Sequence, residues 1–200
     1  MTSTLSSLCL FCGASVGDAP TYADAAAALG RTMAADGVQL VYGGGHVGLM
    51  GVAAEAVMGA GGRVVGFIPE HLTRLEAAYQ GATELHVVEN MHVRKHAMFQ
   101  RSDAFVVFPG GFGTMDETFE ILTWRQLGIH NKPVILANID GYWEPFLALV
   151  DHMIARRFAR EGHRQLFTVV DTVERILPTI RAELARAGVG TVAADADERL

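Results

Sequence analysis

The stretch "AFVVFPGGFGTMDE", residues 104–117, is the most informative part of the sequence about the fold. An apolar run ends in a Pro-Gly-Gly-x-Gly-Thr turn, and the residues after the turn suit a helix. Glycines allow close backbone approaches, and their N–H groups, with those that open the next helix, can converge on phosphate oxygens. No Lys-Ser/Thr pair follows the glycines, so this is not a Walker P-loop and ATP hydrolysis loses its main support. The stretch therefore predicts a strand, an anion-binding turn and a helix.

The same alternation of apolar strands and helical patterns runs along the whole chain. Strands are predicted near 7–12, 38–42, 63–68, 84–88, 104–108, 133–138 and 166–170. Helices are predicted near 20–36, 47–60, 91–102, 114–128, 143–158 and 171–187. This order favours an α/β, Rossmann-like, doubly wound fold, in which a mostly parallel sheet carries helices on both faces. We expect residues 1–188 to form one nucleotide-binding domain and the small, acidic residues 189–200 to form a flexible tail.

Composition narrows the class of protein and of partner. Half of the 200 residues are hydrophobic and 19% are charged, as in an ordinary globular protein. The formal net charge of −6 argues against a nucleic-acid polymer or a membrane surface as partner. An anion site would therefore be a local positive region on an acidic protein. The sequence shows neither a signal-peptide pattern nor an apolar run of membrane-spanning length, so we expect a cytoplasmic protein.

The two cysteines, Cys9 and Cys12, form a C-x-x-C pair within the first predicted strand. Such a pair can indicate redox chemistry or a metal site. In a strand, however, residues three apart point to opposite faces, and no second cysteine pair completes a zinc site. Buried structural thiols are the favoured interpretation.

Most of the unusual residues follow the ends of predicted strands. In a parallel sheet these ends share one edge, and ligands bind outside it. The segments that leave the strands are "CGAS" (12–15), "YGGGHVGLMG" (42–51), "IPEHL" (68–72), "ENMHVRK" (89–95), "PGGFGT" (109–114) and "NIDGYW" (138–143). We therefore expect a single ligand site at this edge.

The turn "GGGHVG", residues 43–48, formally matches the dinucleotide pattern G-x-G-x-x-G. A dinucleotide site would need an acid about 20 residues on, and the nearest, Glu70, follows a strand-interrupting proline, Pro69. Three interpretations stay open: an NAD site, glycines needed only for a tight turn, or a backbone-lined nucleotide site. The last would use Gly43, Gly44 and Gly45.

Two acids follow the "PGGFGT" turn. Thr114 and Glu117 have the spacing of a capping box, with Thr114 as N-cap and Glu117 reaching back to its N–H. Asp116 is interpreted as an acid of the first turn that complements the helix dipole. Glu117 could instead activate water or stabilise a cationic transition state. Both interpretations of Glu117 stay open.

Arg94 and Lys95 lie in the first turns of a predicted helix, an unfavourable place for cations. One interpretation is that both side chains lie on a solvated helix face. The other is that Arg94 reaches the same pocket as Glu117, because this helix starts at the ligand edge of the sheet. Arginine offers a planar fork for phosphate and lysine a point charge.

Three histidines and one serine are weaker candidates for site residues. His46, His92 and His96 form no recognisable metal site, since there is no H-E-x-x-H motif and no nearby third ligand. Ser15, in "CGAS", lacks a nucleophile elbow, so it is interpreted as a contact to a phosphate or hydroxyl group. We predict no metal.

Several of these segments together carry a family resemblance. Residues 109–117 match the signature P-G-G-x-G-T-x-x-E in full, and "FCGAS", "YGGGHVGLMG", "MHVRK" and "LTWRQLGIHNKPV" follow the family order. Over roughly residues 8–160 the chain resembles the LOG (Lonely Guy) family of cytokinin riboside 5′-monophosphate phosphoribohydrolases, long described as possible lysine decarboxylases. The sequence has no lysine context typical of pyridoxal phosphate binding.

The resemblance implies an N-glycosidase without a cofactor. It would hydrolyse the N-glycosidic bond of adenosine 5′-monophosphates, preferably N6-substituted ones, to the free base (a cytokinin or adenine) and ribose 5-phosphate. The resemblance assigns catalysis to Arg94 and Glu117, and it implies a homodimer with sites near the subunit interface. The substrate-binding positions that it implies are Glu76, Lys95, Gly111, Phe112, Gly113, Thr114, Met115, Asp116 and Thr123. The anion-binding interpretation of the "PGGFGT" turn adds Gly110. A non-catalytic carrier or sensor of a nucleotide or cofactor, on the same fold, is the alternative.

Overall fold

The computed structural model describes residues 5–197, with side chains described as far as residue 187. The strands are β1 Ser7–Phe11, β2 Gln39–Tyr42, β3 Val64–Pro69, β4 Glu84–Val88, β5 Ala104–Val107, β6 Val134–Ala137 and β7 Thr168–Val170. The α-helices are α1 Pro20–Ala35, α2 Gly48–Gly59, α3 Met91–Gln100, α4 Phe112–Gln126, α5 Glu144–Ala155 and α6 Ile176–Asp197. Each predicted strand and helix is present, and short 3₁₀ turns follow β3 and β6.

The C-terminal helix departs most from its predicted bounds. α6 begins at Ile176 and runs to Asp197, so it passes through the predicted domain boundary at residue 188. The flexibility of residues 189–200 stays a prediction, and residues 198–200 lie outside the described part of the chain.

The seven strands form one sheet in the order β4-β3-β2-β1-β5-β6-β7, and each adjacent pair of these strands is parallel. The chain moves outward from β1 to β4, then returns through α3 to place β5 on the other side of β1. This reversal confirms the doubly wound prediction. It also opens a crevice between the carboxyl ends of β1 and β5, the place where such sheets bind ligands.

Two hydrophobic cores cover the two faces of the sheet. α1, α2 and α6 pack on the face that carries Leu8, Leu10 and Cys12 of the first strand and its exit, and α3, α4 and α5 pack on the face of Cys9 and Phe11.

The predicted buried thiols are confirmed. Both cysteines are free, buried and on opposite faces. Burial raises the pKa of both thiols, which keeps them protonated and poorly nucleophilic. Among the described helices, none has the length and apolar character needed to cross a membrane.

Candidate active site

A cavity of about 650 Å³ opens at the carboxyl edge of the sheet, over the β1–β5 crevice. The segments that leave β1, β2 and β5 meet there with the start of α3, as the strand-exit argument predicts. Its lining includes residues 12–18 and 109–114 with Gly43, Leu72, Glu76, Met91, Arg94, Glu117 and Tyr142.

Backbone hydrogen bonds from the segment after β1 and from α4 hold the turn after β5. The Gly13 N–H donates to the Pro109 carbonyl at 2.9 Å, and the Met115 N–H donates to the Gly111 carbonyl at 3.0 Å. A Cβ atom at Gly110 would lie 2.1 Å from the Thr114 hydroxyl oxygen, so this close approach requires glycine. α4 begins directly after the turn, with Gly111 as its N-cap and no side chain bound to its first N–H groups. These N–H groups and the positive end of the helix dipole lie beside the cavity and suit an anion.

This helix start corrects the predicted capping box. Thr114 is the third residue of α4 and is buried, so it is not the N-cap, and Glu117 lies in the second turn. The interpretation of Asp116 as a first-turn acid is wrong for the same reason, since the first turn contains no acid. A glycine N-cap lets the helix begin as soon as the chain leaves β5, three residues before the predicted cap.

Arg94 is buried beneath the cavity rather than solvated, with 4% of its surface exposed. Its Nη2 donates to the Gly43 carbonyl at 2.8 Å and to Glu76 Oε2 at 3.1 Å. A Cβ atom at Gly43 would lie 1.9 Å from that nitrogen, so the glycine makes room for the guanidinium group. Among the described residues, the buried Nε of Arg94 has no hydrogen-bond partner. The interpretation of Arg94 as part of a solvated helix face is therefore wrong.

Glu117 lines the same cavity as Arg94. Burial raises the pKa of Glu117 to about 7, with Glu76 and Asp116 adding to the rise and Arg94 and Lys95 opposing it. The carboxyl group therefore exchanges its proton near neutral pH, which suits a general base or acid.

Lys95 does not line the cavity. Its Nζ bonds to Asp116 Oδ2 at 3.0 Å and to Glu120 Oε1 at 3.1 Å, and so joins α3 to α4. Burial, the largest influence, favours a lower pKa for Lys95, but hydrogen bonds to both carboxylates outweigh it and raise the pKa. Lys95 therefore anchors the helix that carries Glu117.

Glu76 reaches the cavity on the segment between β3 and β4. The backbone ties this segment to the turn after β2, through His46 N–H to the Glu76 carbonyl at 2.8 Å and Tyr79 N–H to the Gly44 carbonyl at 3.0 Å. The cavity-facing Glu76 side chain is thereby placed against Arg94.

The other predicted residues are distributed as follows. Ser15, Gly110, Gly111, Phe112 and Gly113 line the cavity. Gly44 packs against β3, Gly45 against Glu76, and Met115 against the second core. Thr123 lies exposed on α4, outside the cavity lining. Their substrate contacts stay predictions.

The histidines and Glu70 have other surroundings. Nε2 of His46 lies 2.6 Å from Oε1 of Glu55, and the His46 ring stacks on Tyr79 with ring centroids 4.5 Å apart. Across the described residues, no three metal-ligating side chains come together. Glu70, the acid that a dinucleotide ribose would need, is exposed and is not part of the cavity lining.

Tyr142 is not identifiable from the sequence as a site residue. The pattern indicates "NIDGYW" as a strand exit but points to no residue within it. The Tyr142 hydroxyl donates to the Gly110 carbonyl at 2.7 Å. A lone tyrosine after a strand has no spacing pattern that could have pointed to this contact.

The chain is similar in sequence to a protein family and to named enzymes. Residues 50–180 match the model of a family described as "possible lysine decarboxylase". The chain is 44% identical over 180 residues to the cytokinin riboside 5′-monophosphate phosphoribohydrolase of Rhodococcoides fascians, covering 90% of this chain and 91% of that protein. It is 50% identical over 160 residues to a probable enzyme of the same name from Oryza sativa subsp. japonica, covering 80% of this chain and 70% of that one.

Solved structures resemble the chain in fold. The molybdenum cofactor binding protein of Rippkaea orientalis has a TM-score of 0.68 and 22% identity, covering 90% of this chain and 97% of that one. At this identity the likeness shows the fold alone.

Proposed function

The chain belongs to the family of cytokinin riboside 5′-monophosphate phosphoribohydrolases, which the family model describes as possible lysine decarboxylases. We propose that it hydrolyses the N-glycosidic bond of adenosine 5′-monophosphates, N6-substituted ones preferentially, and releases the free base and ribose 5-phosphate. One observation carries this proposal: Glu117, with a pKa of about 7, and buried Arg94 line the same cavity, beside the glycine-rich turn after β5.

The phosphate would lie against the turn after β5. The uncapped N–H groups at the start of α4 supply donors, and the helix dipole favours the anion there. Binding at this end fixes the ribose, so that phosphate binding energy serves the reaction at the anomeric carbon.

Glu117 would act at the anomeric carbon. As the C–N bond breaks, its electron pair leaves with the base and positive charge builds on the ribose. A carboxylate stabilises that charge and accepts a proton from the water that adds to the carbon. The departing base takes up a proton in the same cycle.

Arg94 would supply the fixed positive charge. Its Nη2 is held by the Gly43 carbonyl and Glu76, while its Nε is left without a protein partner among the described residues. A guanidinium group that keeps a donor without a protein partner suits a ribose hydroxyl or a phosphate oxygen.

The direct test is release of base. The protein is incubated with AMP and with isopentenyladenosine monophosphate, and free base is followed by chromatography. We expect release by the wild type and a loss of about 100-fold or more in kcat for Glu117→Gln. Melting curves with and without nucleotide check that both proteins are folded and bind it.

The same experiment separates the enzyme from the alternative carrier or sensor. Stabilisation by the nucleotides without release of base would favour the carrier. Near wild-type turnover by Glu117→Gln would reject Glu117 as a catalytic residue even if the enzyme is active.

We further propose that the enzyme is a cytoplasmic homodimer. Apolar side chains project from the adjoining surfaces of α4 and α5, with exposed fractions of 96% for Phe112, 44% for Leu149 and 37% for Phe119. An exposed apolar surface of this kind is typical of a subunit interface. Two free thiols fit the reducing cytoplasm.

A further inference from the structure

The turn after β6 makes a contact that the catalytic proposal does not use. Tyr142, 37% exposed, donates its hydroxyl hydrogen to the Gly110 carbonyl at 2.7 Å. Gly110 lies 32 residues away in the sequence. It is the first glycine of the turn after β5, residues 109–114, which we call the phosphate turn because the substrate phosphate is proposed to lie against it. A side chain from a different strand exit therefore holds one peptide of that turn.

Three successive carbonyls of the phosphate turn each accept one hydrogen bond. Pro109 is bound by the Gly13 N–H, Gly111 by the Met115 N–H, and Gly110 between them by Tyr142. The first two bonds are backbone interactions that no side-chain substitution removes. Of the three hydrogen bonds, only the one from Tyr142 to the Gly110 carbonyl can be removed by a side-chain substitution.

The orientation of the Gly110–Gly111 peptide matters because a trans peptide is planar. Its C=O and N–H point in opposite directions, so a carbonyl held by Tyr142 turns the Gly111 N–H away from Tyr142. Gly111 lines the cavity and is the N-cap of α4, where N–H groups collect around an anion. A hydrogen bond to the carbonyl also polarises the peptide and strengthens its N–H as a donor.

The turn that carries Tyr142 is held by several contacts of its own. Asp140 and Gly141 both adopt positive φ, 53° and 69°, and so fold the chain back toward the phosphate turn. Buried Asn138 accepts from the Trp143 N–H and donates to Glu144, each at 2.8 Å. The Tyr142 ring packs edge-on against Tyr22 and Trp143, with centroids 5.7 and 4.9 Å away.

We propose that Tyr142 is a positioning residue for the substrate phosphate, acting through the Gly110–Gly111 peptide. The proposal rests on the proposed function, since the phosphate is that of the nucleotide. It assigns to the turn after β6 a role in selecting phosphorylated ligands over free nucleosides or bases.

The test compares Tyr142→Phe with Tyr79→Phe. Both changes remove a single hydroxyl and keep the ring. Tyr79 stacks on His46 and lies outside the cavity lining, and among the described residues no hydrogen bond involves its hydroxyl, which makes it a matched control. The dissociation constants of ribose 5-phosphate and of adenine are measured separately by calorimetric titration or ligand-observed NMR.

We expect Tyr142→Phe to weaken ribose 5-phosphate about three- to tenfold, the effect of one hydrogen bond, and to leave adenine within about twofold. KM for AMP should rise by a similar factor, while the acidic limb of the pH–rate profile stays in place. Tyr79→Phe should leave the dissociation constants of both ligands unchanged.

Two results would overturn the proposal: equal weakening of both ligands, which indicates a general structural effect, or unchanged binding of ribose 5-phosphate. Binding is measured without turnover, so the outcome is independent of the enzyme assay. A wild type that binds ribose 5-phosphate through Tyr142 but releases no base would reject the proposed function and keep this inference.

Discussion

At the residue scale, Glu117 combines a half-buried position with neighbouring charges of both signs. Burial favours its neutral form, Glu76 and Asp116 act in the same direction, and Arg94 and Lys95 favour the carboxylate. The balance leaves the pKa of Glu117 at about 7 rather than 4.5. A carboxylate of this kind is a stronger base than an exposed one, which is the property that activation of water requires.

The first prediction follows from that pKa. If the carboxylate is the active form, kcat/KM should rise with pH along a limb centred near 7 and level off above it. The substrate phosphate also titrates, near pH 6, but does so identically with every variant. The profile is measured with AMP from about pH 5 to pH 9.

Glu76→Gln provides the check on this assignment. Removing the Glu76 charge should lower the pKa of Glu117, so the limb should move to lower pH. If the limb stays at the same pH in Glu76→Gln, or persists in the residual activity of Glu117→Gln, then it reports the titration of another group.

The second prediction concerns stability. The folded chain keeps the Glu117 proton between about pH 4.5 and 7, whereas the unfolded chain loses it, so ionisation costs stability as pH rises through that window. Glu117→Gln should therefore match the wild type near pH 4 and exceed it by on the order of 1–2 kcal/mol at pH 8, allowing for partial exposure of the group. Urea unfolding at both pH values measures the difference. A variant equally stabilised at both would not support the raised pKa.

At the element scale, the start of α4 shows what the sequence can and cannot predict. The apolar runs and glycine turns predict each strand and helix and the edge at which Arg94 and Glu117 meet. The capping box fails because Thr-x-x-Glu spacing is local, while the helix start is set by Gly111 leaving a strand fixed to β1. The ion pairs of Lys95 could not be predicted either, because its partners, Asp116 and Glu120, lie on another helix. Such contacts depend on tertiary structure, which spacing does not encode.

The third prediction concerns the turn after β2. Gly43→Ala places a Cβ where Nη2 of Arg94 lies, so the guanidinium group must move away from the Gly43 carbonyl. We expect a loss of about tenfold or more in kcat/KM with a folded protein, because the displaced atoms end a flexible side chain. Steady-state kinetics with AMP measure it.

Gly59→Ala is the control for this change. Gly59 lies in α2, and a Cβ there would meet no atom within 4 Å. Unchanged activity is expected, with stability equal or higher by up to about 1 kcal/mol. Equal kinetic losses in the two variants would show that Arg94 placement is not the cause.

At the scale of the whole molecule, the sheet order explains why distant segments share one site. β1 and β5 are neighbours although their sequences are almost a hundred residues apart, and their exits are joined by the Gly13–Pro109 hydrogen bond. α3 crosses back over the sheet to connect β4 with β5, and its first turns bring Arg94 beneath the cavity. The reversal of strand order thus assembles the phosphate turn, the acid and the arginine at one crevice.

The fourth prediction tests the apolar surface of α4 and α5. The wild type should sediment at twice the chain mass of 21.5 kDa, and Leu149→Glu should shift it to a single chain, because a dimer would bury the new charge without a partner. Val87→Glu is the matched control, since Val87 is 59% exposed on β4, at the far edge of the sheet from α4 and α5. Analytical ultracentrifugation at several concentrations shows whether each protein is a dimer or a single chain. Dissociation by Val87→Glu with a dimeric Leu149→Glu would place the interface on the β4 edge instead, and the exposed Phe112 and Leu149 would then need another explanation.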